Sequence, residues 1–192
     1  MSPSLPYPDL QALSPDTRLL LAARPPRNVF RMLAHAPSTL AGVLELTRGI
    51  LYDSRLAPTL RELAILRVGH LCGSSYEVHQ HRKIAGAVGL DPARIDGTAL
   101  HADVARDAGY SEREVLLLAF VEQVVLQTRA DPDLRDRVVE ELGIEQTMEL
   151  LVLIGTYTML AQVLENAGVE VEDGIGPPAS EVEQIFGSQA GG

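Results

Sequence analysis

No stretch of five or more residues in this chain alternates apolar and polar side chains convincingly, and apolar residues recur almost everywhere at helical spacing. That pattern excludes a sheet as the main element. Proline marks where the helices begin. Ser14-Pro15-Asp16, Pro37, Pro58, Asp91-Pro92 and Asp131-Pro132 each place Pro in a first turn, where its missing N–H costs nothing. The spacing predicts a short helix over 17–23 and another through Ala34 that Asn28 can cap. A longer one runs from Thr39 to about Tyr52, with Leu40, Val43, Leu44 and Leu51 on one face.

Two helices then form the centre of the reading, one from Pro58 to about Leu71 and one from about Ser75 to Val88. Cys72-Gly73-Ser74 lies between them and Gly89 ends the second. A short helix from Pro92 to about Asp96 follows, then a polar link. Ser111-x-x-Glu114 is a capping box that opens a helix to about Arg129. One more helix ends at Gly143. The last, Glu145 to Ala167, is apolar nearly all round, which predicts burial on every side in a core or a subunit interface. The expected fold is therefore all-α, a single-domain bundle of about eight or nine helices. An N-terminal arm (1–13) precedes the core (14–167), and an acidic tail (168–192) follows it.

Composition narrows the function classes. The 192 residues are 46% hydrophobic and 22% charged, a globular balance. The single cysteine, Cys72, excludes an internal disulfide, a CxxC redox pair and a Cys-rich zinc site. Residues 1–94 hold 11 basic and 7 acidic side chains, and 95–192 hold 5 and 19, in a chain of net charge −10. No nucleic-acid partner is expected of so acidic a chain, although its first half could attract a small anion or simply be solvated surface. The apolar run Leu150–Leu164 is shorter than the roughly 20 residues of a membrane span, and no basic, apolar leader opens the chain. The expectation is a cytoplasmic protein with no membrane partner.

Candidate chemistry concentrates in Arg61-Glu62 and in Tyr76-Glu77-Val78-His79-Gln80-His81. Glu77 and His81 are four apart and share a helix face, which Ile84 and Val88 continue inward. A tight turn near Gly73 makes the two central helices an antiparallel hairpin. Glu62 and His81 then lie staggered by roughly 6 Å along it, close enough for long side chains or one water to bridge. A carboxylate fixes the tautomer of an imidazole bonded to it, and burial raises a Glu pKa toward acid catalysis at neutral pH. Arg61 or Arg67 could grip a substrate carboxylate with the amides at Ser74 and Tyr76, or both could be surface. Ser74-x-x-Glu77 and Thr59-x-x-Glu62 also fit capping boxes, so either glutamate could serve only the helix ends. His81 could equally be a core histidine. Cys72 could be a small buried residue or a reactive thiol. His70, His79 and His81 share no helix face, so no metal site is expected, and no cofactor.

The segment Arg61-Glu62-Leu63 with its apolar run to Val68, then Tyr76-Glu77 and His81, resembles the carboxymuconolactone decarboxylase family, which also contains the AhpD-like alkylhydroperoxidases. The likeness covers about 50–135. It implies an all-helical fold and a homo-oligomer, a trimer or hexamer, with Glu62 and His81 at the family's glutamate and histidine. The two cysteines of the peroxidase branch fall on Ser74 and Glu77, which places the chain in the non-redox branch. Val78 stands where that branch commonly has Trp, so the pocket lining should differ. The resemblance thus implies a cofactor-independent lyase or isomerase that moves a proton on a small carboxylated lactone or cyclic acid. Alternatives are a peroxidase using Cys72 alone and a non-catalytic helical oligomer that binds a small ligand.

Overall fold

The computed structural model describes residues 5–100 and 109–172; the remainder of the expected polar link, most of the acidic tail and the first four residues of the arm lie outside these. Eight α-helices make up the described chain: α1 (Pro15–Ala22), α2 (Asn28–Leu33), α3 (Pro37–Arg48), α4 (Pro58–Leu71), α5 (Ser75–Ala87), α6 (Pro92–Gly97), α7 (Glu112–Gln127) and α8 (Pro132–Ala167). The all-α expectation holds, and no strand occurs among the described residues. The helix expected to reach Tyr52 changes pitch, closing with a π-helical turn over Gly49–Asp53. Gly143, at φ 78° and ψ 165°, interrupts α8 where the sequence places the end of one helix and the start of the next.

Three helix starts carry side-chain caps, the predicted box at Ser111 among them. Ser14 accepts from the Thr17 amide, Asp91 from the Arg94 amide, and Ser111 and Glu114 form the complete box. Two caps fail. Asn28 is the first helical residue of α2 and not its cap, and its amide donates to the Glu170 carbonyl (2.9 Å). Asp131 turns from α8 to accept from Gln123 (3.1 Å), tying α7 to α8.

α4 is the central element. It packs against α5, α7 and α8, and every residue from Leu60 to Gly69 is buried. Its polar residues are therefore committed to internal partners. Its entry is held from across the chain: the Glu149 carboxylate on α8 accepts from the Ser54 hydroxyl (2.9 Å) and the Arg55 and Leu56 amides (3.0 and 3.1 Å). Its exit is the predicted tight turn, with Gly73 at φ 68° and the Ser74 amide on the Gly69 carbonyl (2.8 Å). α4 and α5 approach closely at Gly69, where an added Cβ would stand 3.0 Å from Val78 Cγ2.

The second half of α8 crosses the core through Leu150, Leu153, Ile154, Tyr157, Leu160 and Leu164. The core covers most of it and leaves one face open in the single chain, where the expectation allowed a core or a subunit interface. Ile144 (73% exposed), Met148 (54%), Val152 (44%) and Met159 (37%) follow helical spacing along one open face. By length and mean hydropathy α8 is a helix that could cross a membrane, beyond what the run 150–164 suggests, and half of its most apolar window is buried in the core. After α8, Gly168 at φ 66° reverses the chain. The segment 169–172 that follows meets the N-terminal arm through the Glu170 amide on the Tyr7 hydroxyl (3.3 Å), and the Leu5 amide holds the Ala167 carbonyl at the end of α8 (3.2 Å).

Candidate active site

The predicted hairpin brings Glu62 and His81 into direct contact, with no water needed between them. Glu62 is wholly buried on α4, and its Oε2 lies 2.7 Å from Nδ1 of His81 on α5. Its other oxygen accepts from Arg61 Nε at 3.2 Å. A buried carboxylate needs such partners, and here a guanidinium and an imidazole supply them. Thr59 is not the partner of Glu62, so the capping alternative for Glu62 falls away. With the carboxylate on Nδ1, the neutral ring carries its proton there and presents a lone pair at Nε2. Tyr157 of α8 packs edge-on against the ring, with centroids 5.1 Å apart at 86°, and fixes its plane.

His81 and Glu77 both line a cavity of about 710 Å³ between α5, the second half of α8 and the N-terminal helices. Tyr76, Gln80, Ile84 and Tyr157 also line it, with Phe30, Val43 and Leu51 opposite. The mainly apolar wall with a few polar groups is the usual character of a small-molecule site.

Glu77 is buried and neither of its oxygens has a hydrogen-bond partner. Ser74, the helix cap before it, makes no side-chain capping bond, so the capping-box alternative for Glu77 also falls away. Burial raises the Glu77 pKa well above the ordinary carboxylate value, and the Glu165 charge raises it further. The shift favours the protonated form of a side chain that faces the same cavity as His81.

The remaining candidates separate. Tyr76 lines the cavity. Arg61 backs the site through Glu62, and its Nη2 is buried without a partner. Arg67 is on the other side of α4: it donates to the Thr98 carbonyl (3.1 Å) and pairs with Glu122 on α7, which corrects the reading of it as a substrate ligand. Ser74 is buried with its hydroxyl unpartnered and does not line the cavity. His79 is exposed, and among the described residues no three His, Cys, Asp or Glu side chains converge as metal ligands. Cys72 is half-buried; burial pushes its thiol pKa up, as does the Glu77 charge, against a smaller opposing hydrogen bond with Thr158.

Sequence reasoning missed Tyr157 and a group that ties Arg27, Tyr76 and Gln80 on the cavity wall to Glu172. Arg27, just before α2, donates from Nη1 to Gln80 Oε1 (2.9 Å). Gln80 Nε2 and the Tyr76 hydroxyl in turn donate to the Glu172 carboxylate, each at 2.6 Å. Burial and the neighbouring Glu172 push the Tyr76 pKa up, so the phenol is a firm donor.

Fold and site together define an all-helical protein with a carboxylate–imidazole pair set between two antiparallel helices. The carboxymuconolactone decarboxylase family model matches residues 37–123, a little under half of the chain. The match spans α3 to most of α7 and holds Glu62, Glu77 and His81. A similar solved structure is an alkylhydroperoxidase AhpD core, an uncharacterized peroxidase-related protein from Ralstonia eutropha. It is 20% identical, with a TM-score of 0.76, over 89% of this chain and 93% of that one. The likeness carries the fold. No curated protein matches the chain.

Proposed function

We propose that the protein is a cofactor-independent proton-transfer enzyme, a lyase or isomerase acting on a small carboxylated lactone or cyclic acid. The observation that carries this reading is the 2.7 Å Glu62–His81 pair beside a cavity that Glu77 also faces. His81 Nε2 serves as base, and Glu62 stabilises the imidazolium that forms. Glu77, whose protonated form burial favours, serves as acid. In a decarboxylation the bond to the carboxylate carbon breaks, CO₂ leaves, and the electron pair stays on the ring as an extended enolate. The Glu77 proton then quenches the carbon, and solvent restores the acid. In an isomerisation the same two groups remove and return a proton at different carbons. The lactone class comes from the family. The test is to incubate the protein with carboxylated butenolides in D₂O and follow the products by NMR. CO₂ release or deuterium at a ring carbon is expected; neither, across lactones and cyclic acids, would overturn the reading.

The peroxidase alternative loses support from the raised Cys72 thiol pKa and from the lack of a second cysteine. Cys72→Ser is expected to leave lactone turnover within about twofold of wild type, a change worth less than ~0.5 kcal/mol. Peroxide consumption by the wild type that vanishes in this variant would reinstate the thiol.

The partner covering the open face of α8 is a second copy of the chain. Ile144, Met148, Val152 and Met159 form a stripe of the kind that closes a helix-to-helix interface. Light scattering is expected to give a trimer or hexamer of the 20.7 kDa chain. Paired Met148→Glu and Val152→Glu substitutions should reduce it to monomers with unchanged helix content. A monomeric wild type at micromolar concentration would exclude the interface.

A further inference from the structure

We infer that Tyr76 and Gln80, on the cavity wall, form a carboxylate subsite, which the chain fills with its own Glu172 until an anionic ligand displaces it. The inference rests on the reading of the cavity as a substrate site and says where the substrate's carboxylate is held.

Three donors meet the Glu172 carboxylate. The Tyr76 hydroxyl lies 2.6 Å from Oε1 and Gln80 Nε2 lies 2.6 Å from Oε2, so each oxygen has its own side-chain donor. The Asn28 amide also donates to Oε1. The cradle is prepared from behind. Arg27 holds Gln80 Oε1 at 2.9 Å, which turns the Gln80 NH₂ toward the anion, and places a guanidinium next to it. Tyr76, Gln80 and Arg27 are all buried, so their donors are rigid and poorly served by water. Such a site accepts a carboxylate whatever chain or molecule bears it.

The occupant is the replaceable part. Glu172 sits on a segment of a few residues beyond the end of α8, held mainly by Asn28 and Tyr7. Its donors on α5 are four apart, and Glu77 and His81 are the next residue along in each case. A carboxylate held by Tyr76 and Gln80 therefore places the rest of a small ligand within one helix turn of the acid and the base. Neither Arg67, on the far side of α4, nor Arg61, behind Glu62, has that position.

The test titrates benzoate and its neutral isostere benzamide into the full-length protein by calorimetry. Glu172→Ala is expected to bind benzoate at least tenfold tighter than wild type and benzamide no tighter. Adding Tyr76→Phe and Gln80→Leu should remove the gain. Equal benzoate affinity in wild type and Glu172→Ala, or an equal gain for benzamide, would overturn the inference, the latter because it would reflect cleared space alone. A second measurement needs no variant: benzoate added to ¹⁵N-labelled wild type should shift the Gln80 side-chain amide and the backbone amides of 170–172 together. Saturation that leaves 170–172 unmoved would also overturn it. Turnover of a lactone with no gain in Glu172→Ala would sink the subsite and spare the proposed reaction; the gain without any turnover would do the reverse.

Discussion

His81→Ala is expected to lower the proton-transfer rate by about 10²- to 10⁴-fold, the usual contribution of a positioned acid or base. The imidazole is the only base that the Glu62 carboxylate orients, and its Nδ1 is already engaged at 2.7 Å, so no reorganisation precedes reaction. Glu62→Gln should fall in the same range by a different route. The amide oxygen can still accept from Nδ1–H, so the ring keeps its place while the charge that stabilises an imidazolium is gone. The two variants part in stability. Glu62→Gln leaves the Arg61 guanidinium buried beside a neutral group, which costs about 3–5 kcal/mol when one partner of a buried pair is removed. His81→Ala keeps that ion pair. Deuterium incorporation at fixed substrate, with melting curves of both variants, checks the prediction. A fully active His81→Ala would remove the dyad from the mechanism.

Glu77→Gln is expected to make the protein more stable and less active. Burial raises the folded-state pKa of Glu77 above its unfolded value of about 4.5, so the native protein holds this proton more tightly than the unfolded chain does. The sign follows. Below about pH 4.5 the group is protonated in both states and the substitution has little effect. As pH rises from there toward the folded pKa, wild type loses stability at about 1.4 kcal/mol per pH unit relative to the variant. Above the folded pKa the difference stays constant. Chemical denaturation of both proteins from pH 4 to 8 measures it, and a stability difference independent of pH would refute it. The same substitution removes the proton donor, so turnover should fall by at least about tenfold while stability climbs, a trade common at sites that store unfavourable burial.

Much of this molecule can be read from its sequence because its local signals agree. Pro58, Pro92 and Pro132 open helices where the rule places them, and Gly73 and Gly143 stand at positive φ where a non-glycine residue would be strained. The Glu62–His81 contact was legible too, since a hairpin of known rise fixes the stagger of its two arms. What sequence could not supply are partners chosen by tertiary packing. Arg67 has the same type and helix as Arg61, and only the position of α7, 55 residues on, assigns it to Glu122. Gln80 looks like a solvated helix residue until Arg27 and Glu172 arrive from 53 and 92 residues away. Asn28 and Asp131 have cap chemistry, but a remote carbonyl and a neighbouring helix outcompete the local amides. The apolar run of α8 was visible, but not which of its sides the core would leave uncovered.

Gly69 gives the central hairpin a spacer of zero thickness. Where a side chain would begin, a Val78 methyl already sits 3.0 Å away, so the two rods touch there and nothing larger can be wedged between them. Glu62 is two turns to one side of this fulcrum and His81 less than one turn beyond Val78 on the facing rod. The reach of the proton relay is therefore calibrated by a missing methyl group that touches neither of its members.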